Sequence, residues 1–240
     1  MTYCVGMLVR QGLVALSDGR LTSGSQLSVA RKNILMGTGP ASRFFLMNSG
    51  LRSLRDKTLA YLRQSGFQPP TMLAAVTAYC KALRRVMEED REALEAANFK
   101  FNLHALIGGQ LAEDEHPALF LVYPEGNWIA ADERTPFLAI GTTSYGKAIL
   151  DRVLVSETHL ETAAKLAYLS FDNTRLGTAD VGFPVDLLTY RRAIRQWEEF
   201  HFNHDDLALQ HHWWNQHLAK LAEALPDLPG QRELERVASC

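Results

Sequence analysis

Residues 2–9 and 13–17 are two nearly unbroken apolar runs separated by Arg10, Gln11 and Gly12, the pattern of a β-hairpin with a short glycine-containing turn. Apolar runs without alternation belong to strands covered on both faces. The spacing therefore predicts that the chain enters the core of a sheet at its first residues. Residues 34–36 and 44–47 predict two further short strands around Gly37-Thr38-Gly39-Pro40. The period then lengthens. Leu51, Leu54, Leu59 and Leu62 set a helical stripe over residues 49–65. Beyond Pro69-Pro70, Leu73, Val76, Tyr79, Cys80, Leu83 and Met87 set another over residues 72–97.

Short apolar runs return at residues 101–107, 119–123, 128–130 and 137–140, punctuated by Gly108-Gly109, Pro124-Glu125-Gly126 and Thr135-Pro136. Two helices follow over residues 145–155 and 157–171, then a strand over 185–190 and a helical stretch over 207–225 that stops at Pro226. Strands, two helices, strands, two helices, strands is not the alternation of a doubly wound parallel sheet. It predicts an α+β protein in which two antiparallel sheets pack together with helix pairs outside. No internal repeat or low-complexity linker interrupts the chain, so residues 1–240 read as one domain, with 191–240 as an assembly or interface extension.

Composition narrows the function classes. Hydrophobic residues make up 47% and charged residues 22% of 240, and the formal charge is -2. That balance is ordinary for a water-soluble chain and offers no basic face for nucleic acid. No run approaches the ~20 apolar residues of a membrane span, and the N-terminus lacks the basic start of a secretory signal. Cys4, Cys80 and Cys240 are few and far apart, which suits a reducing compartment better than a disulfide framework. These features predict a cytoplasmic protein with neither membrane nor nucleic-acid partners and no bound cofactor.

Candidate chemistry concentrates in the first fifty residues. Thr2 stands directly behind Met1, and removal of the methionine would give one residue both a nucleophilic hydroxyl and a free amine to take its proton. An α-amino group of pKa about 7.7–8.0 suits general-base work near neutrality. Asp18 ends the second strand of the hairpin, so the turn near Gln11 returns it to the edge where Thr2 begins. Lys32 would lower the amine's pKa, and Asp18 would keep that lysine charged and oriented. Its neighbour Arg31 competes for the inward position, and Asp18-Gly19 taken alone reads as a turn. Gly50, just before the first helix, offers a backbone N–H for a tetrahedral oxyanion.

The N-terminal string, the G-L-V-x-L-S-D-x-R run at residues 12–20 and the lysine after it resemble proteasome β subunits and the bacterial HslV peptidase. The resemblance is closer to Anbu, the ancestral β subunit of bacteria. It is carried by the MTYCVG opening, Y-P-x-G-N-x-I at 123–129, I-G-x-x-x-Y-G-K-x-I-L-D-R at 140–152, S-F-D-x-T at 170–174 and V-G-x-P-x-D-L-L at 181–188. It implies a four-layer αββα sandwich, threonine-nucleophile hydrolysis of peptide or unfolded-protein substrates, and assembly into a homo-oligomer, a ring or an open helical stack. Thr2, Asp18 and Lys32 fall on the family's nucleophile, aspartate and lysine, and Gly50 on its oxyanion glycine. Two positions depart. Proteasome β subunits carry a serine in a Gly-Ser-Gly run where this chain has Gly141-Thr142-Thr143-Ser144, leaving Thr142 or Ser144 to supply a hydroxyl. The later Asp-x-x-Ser pair is replaced by Gly177-Thr178-Ala179-Asp180.

Rival readings remain at this stage: an N-terminal nucleophile amidase acting on small amides, or a non-enzymatic scaffold with a residual site. Five of the eight histidines, His201, His204, His211, His212 and His217, fall late with Trp197, Trp213 and Trp214. Their spacing raises zinc, but a subunit interface accounts for them better, with an ordinary core role as the further alternative. The sequence points to no particular unfoldase.

Overall fold

The computed structural model describes residues 2–23, 26–39, 42–227 and 229. Two five-stranded antiparallel sheets form its centre. β1 (Tyr3–Val9), β2 (Gly12–Asp18), β10 (Phe137–Gly141), β11 (Val185–Arg191) and β12 (Gln196–Phe202) pair in the order β10-β1-β2-β11-β12. β5 (Asn33–Met36), β6 (Phe44–Gly50), β7 (Leu103–Gly109), β8 (Ala118–Val122) and β9 (Trp128–Ala130) form the second sheet in sequence order. Between the sheets lie Cys4, Leu13, Ala15, Phe45, Met47, Leu106, Leu119 and Tyr190, among others.

Helices close both outer faces. α1 (Arg52–Gln64) and α2 (Met72–Ala96) bury Leu54, Leu59, Val76, Tyr79 and Leu83 against Phe44, Leu46, Ala105 and Ile107 of the second sheet. α4 (Leu160–Gly177) lies on β1 and β2, with α3 (Ser144–Val153) beside it. Each strand of the first hairpin thus has apolar cover above and below, which is why its sequence shows no alternation. The layers are those of an αββα sandwich, as the element order and the resemblance imply.

Several boundaries move for identifiable reasons. The first helix begins at Arg52, not residue 49, because Ser49 and Gly50 complete β6 by pairing with His104 and Leu103. α4 begins at Leu160, not 157, where Gln11 Oε1 accepts the Leu160 N–H at 2.8 Å. That cap comes from 149 residues away and leaves no local signal. At its other end α4 runs past Phe171, stapled by the Arg175–Asp172 ion pair at 2.6 Å and by Thr174 Oγ1 donating to Ser170 O at 2.8 Å. The buried face of α2 uses Met72, Ala75 and Val86 rather than Leu73, which is exposed; Leu73 sits about 100° round the helix from Met72.

Two elements carried no apolar signature. β3 (Arg20–Ser23) and β4 (Gln26–Val29) form a polar hairpin outside both sheets. β12, QWEEFHF, is an edge strand whose charges suit an exposed edge. Residues 191–202, read above as part of a C-terminal extension, therefore finish the first sheet. The chain divides into two compact units, Met1–Asn203 and His204–Cys240. In the second, a 3₁₀ turn (Asp205–Leu207) leads into α5 (Ala208–Glu223), which buries none of its residues.

Candidate active site

The register of the first hairpin sets the site. Cys4 pairs with Ser17, which brings Tyr3 opposite Asp18. The Tyr3 N–H donates to Asp18 Oδ1 at 2.9 Å. Asp18 is fully buried. Its Oδ2 accepts the Gly182 N–H at 3.4 Å, from the segment that leads into β11. The β3–β4 hairpin returns the chain to the same place, with the Ala30 N–H donating to Gly19 O at 2.9 Å. Two residues on, Lys32 turns inward and its Nζ donates to Asp18 Oδ1 at 2.6 Å, with 4% of the lysine side chain exposed. Arg31 goes the other way, 59% exposed and paired with Glu199 at 3.3 Å. The geometry settles which of the two basic residues faces the aspartate.

Thr2 is buried at the head of β1. Its carbonyl accepts the Thr142 N–H at 2.7 Å. Gly141 lies against that carbonyl: a Cβ there would sit 1.9 Å from Thr2 O and 3.5 Å from Ser49 Oγ. The end of β6 is thereby drawn to Thr2. Leu51 N bonds Asn102 O at 3.0 Å, so by ladder alternation the Gly50 N–H turns away from β7. It faces the side from which β5 and Lys32 approach. Gly50 has φ +132°, and a Cβ on it would meet Asn102 O at 2.0 Å, so only glycine fits. Of the two hydroxyl residues raised above, Thr142 is the one bonded to Thr2, through its backbone; Ser144 opens α3. Met1 lies outside the described residues.

Burial pushes the Asp18 carboxyl above its ordinary range, while Lys32 and the Tyr3 and Gly182 N–H groups pull against it. A carboxylate held in this way gives Lys32 a fixed position and a counter-charge. Cys4, one residue past Tyr3, is a different kind of group. Burial drives its thiol far up, against a smaller downward pull from Lys32. It stays protonated at neutral pH, which removes it as a candidate nucleophile.

Solved structures match the fold over nearly the whole chain. A Gly-1 mutant of Anbu from Hyphomicrobium sp. strain MC1 is 31% identical with a TM-score of 0.86, the match covering 95% of this chain and 99% of that one. A helical assembly of the Anbu complex from Pseudomonas aeruginosa is 32% identical with a TM-score of 0.86, covering 95% and 98%. The chain belongs to the Anbu family. Anbu from Yersinia bercovieri, described as the ancestral β-subunit, adds a match at 28% identity and a TM-score of 0.84 over 94% and 98%. No protein-family model matches the chain, and no curated protein does.

Beside these Anbu matches, the backbone partners of the site stand out as what sequence reasoning missed. Tyr3 N, Gly182 N and Gly141 act through main-chain atoms, so no side-chain chemistry advertises them. The V-G-x-P-x-D segment was the available signal for Gly182. Where this Anbu chain lacks the serine of the Asp-x-x-Ser pair, backbone contacts occupy the ground: Arg20 donates to Ala179 O at 2.7 Å beside the Gly182 bond. The late histidines disperse. His201 pairs with Asp186 at 2.8 Å, His211 and His212 bond Asn215 and Gln216, and His217 stacks on Trp213 at 3.8 Å. Among the described residues no three potential ligands gather, and no helix is long and apolar enough to cross a membrane.

Proposed function

We propose that this Anbu chain is the subunit of a proteasome-like threonine peptidase, with Thr2 as nucleophile once Met1 is removed. The buried Asp18–Lys32 pair at 2.6 Å, joined through the Tyr3 N–H to the residue after Thr2, carries the reading. Lysine next to the free amine lowers its pKa, so the amine can take the hydroxyl proton as the oxygen attacks a peptide carbonyl. The carbon–nitrogen bond breaks, the amine leaves with a proton, and the acyl group stays on the Thr2 oxygen until water removes it. The Gly50 N–H receives the developing oxyanion. Asp18 is the positioning residue, since it reaches the reaction only through Lys32.

A β-lactone probe tests the nucleophile directly. The expected result is one acyl group on Thr2 in the N-terminal tryptic peptide, read by mass spectrometry, with Met1 absent. Labelling confined to another residue, or a peptide that keeps Met1, overturns the reading and leaves the scaffold alternative, because an amide nitrogen is no base. Cleavage of small amides with no action on extended peptides would favour the amidase alternative.

Self-association into a homo-oligomer belongs to the same proposal. Its support is the helical assembly of the Pseudomonas relative and the character of α5. Leu209, Trp213, His217 and Leu221 recur every four residues on that helix, and Leu209, Trp213 and Leu221 are 74%, 53% and 62% exposed. An apolar helical stripe calls for a partner surface, and a second copy of the chain supplies one. Trp213→Asp is expected to lower the particle mass seen by light scattering, while circular dichroism stays that of the folded chain. Unchanged mass would remove α5 from the interface.

A further inference from the structure

β10 ends the first sheet and, among the described residues, pairs with β1 alone. The Leu8 N–H donates to Pro136 O, and the Thr142 N–H to Thr2 O, each at 2.7 Å. These two bonds fix the phase of the ladder: even-numbered residues of β10 turn to β1, and Phe137 and Ala139 turn their N–H and C=O groups outward. Among the described residues no strand receives them. They open into a groove of about 370 Å³. One wall is α3, through Lys147 and Leu150; the other is the Arg134–Thr135 turn with Leu121 of β8. An open edge of this kind is a template for an extended chain.

Two further observations say which chain fits. The first is direction. β10 runs toward Thr2, so a segment paired antiparallel to it starts beside Gly141 and runs away from the nucleophile. The second is charge. Lys147 is committed to Asp151 at 2.5 and 2.7 Å. Arg134 is exposed and makes no ion pair among the described residues; only its backbone N–H is engaged, with Asp132 Oδ1 at 2.9 Å. Gly141 and Phe137 are four positions apart, a span of about 13 Å in a strand, with Arg134 just beyond.

We propose that the β10 edge is an exosite for the leaving-group side of the substrate. It pairs with an extended segment and places an acidic side chain, about five residues past the cleaved bond, at Arg134. The proposal rests on the threonine-peptidase reading of Thr2. Binding tests it apart from cleavage. Full-length Thr2→Ala protein is titrated with fluorescein-labelled, otherwise neutral twelve-residue peptides in which one glutamate or lysine is moved along the chain. One position is expected at which glutamate binds about five- to tenfold tighter than lysine at low salt, with Arg134→Glu reversing the preference there. N-methylation of alternate peptide amides is expected to weaken binding about tenfold in one phase and leave it unchanged in the other.

Indifference to charge position, or equal effects of both methylation phases, overturns the exosite. The two readings fail separately. Wild-type protein that cleaves these peptides without regard to the glutamate leaves the peptidase standing and removes the exosite. Phase-dependent binding without cleavage by protein carrying a free Thr2 keeps the groove and removes the peptidase.

Discussion

Lys32→Ala is expected to lower peptide cleavage on the order of 10³-fold and to destabilise the fold by about 3–5 kcal/mol. Both losses have one cause. Asp18 is fully buried, and Lys32 is the cation that balances it. Removing the lysine leaves a carboxylate with two backbone donors and no counter-charge, while the Thr2 amine loses the neighbour proposed to tune it. Thr2→Ala separates the two effects, since it removes cleavage and leaves the ion pair intact. Lys32→Met with Asp18→Asn makes the pair neutral and is expected to recover most of the stability and none of the cleavage, because well-packed neutral groups replace a buried ion pair at little cost. The lost stability should depend on pH. Burial already raises Asp18, and without Lys32 it rises further. The folded variant then holds a proton that the unfolded chain has released above about 3.9. Its stability therefore falls as pH rises between that value and the raised one. Chemical denaturation at several pH values checks the sign; a variant equally stable across that window would remove the buried-charge account.

The position of Asp18 was legible early because it and Tyr3, the residue after Thr2, lie on one hairpin. A tight turn at Arg10 and Gln11 allows few registers, and the observed one puts residue 3 opposite residue 18. The sandwich was legible for a similar reason: unbroken apolar strands demand cover on both faces. What the sequence concealed falls into two physical kinds. β3, β4 and β12 lie outside the core or at its edge, where burial imposes no pattern. The α4 cap by Gln11 and the Asp18 bonds from Tyr3 and Gly182 are made by or to backbone atoms far apart in the chain. Choosing Lys32 over Arg31 needed the direction of a side chain, which depends on where the β3–β4 hairpin rejoins β2.

Gly141 couples fold to chemistry most tightly, and Gly141→Ala is expected to cost about 2–4 kcal/mol of stability together with a fall of about 10²-fold in cleavage by the protein that remains folded. The residue has φ +89°, a conformation that alanine enters at a cost of about 1–2 kcal/mol. The new methyl would start 1.9 Å from the Thr2 carbonyl oxygen. Neither atom can rotate away, because one is fixed to Cα and the other belongs to the peptide plane. Relief requires the head of β1 to shift, and Thr2 shifts with it relative to Lys32 and Gly50. Gly66 supplies the control: its φ is +64° and a Cβ on it meets nothing within 4 Å, so Gly66→Ala carries the conformational cost alone and should cleave at the unaltered rate. Thermal unfolding and rate per folded molecule, measured on both variants, distinguish strain from displacement. If Gly141→Ala cleaves as fast as Gly66→Ala once stability is accounted for, Thr2 tolerates movement that its proposed chemistry does not allow.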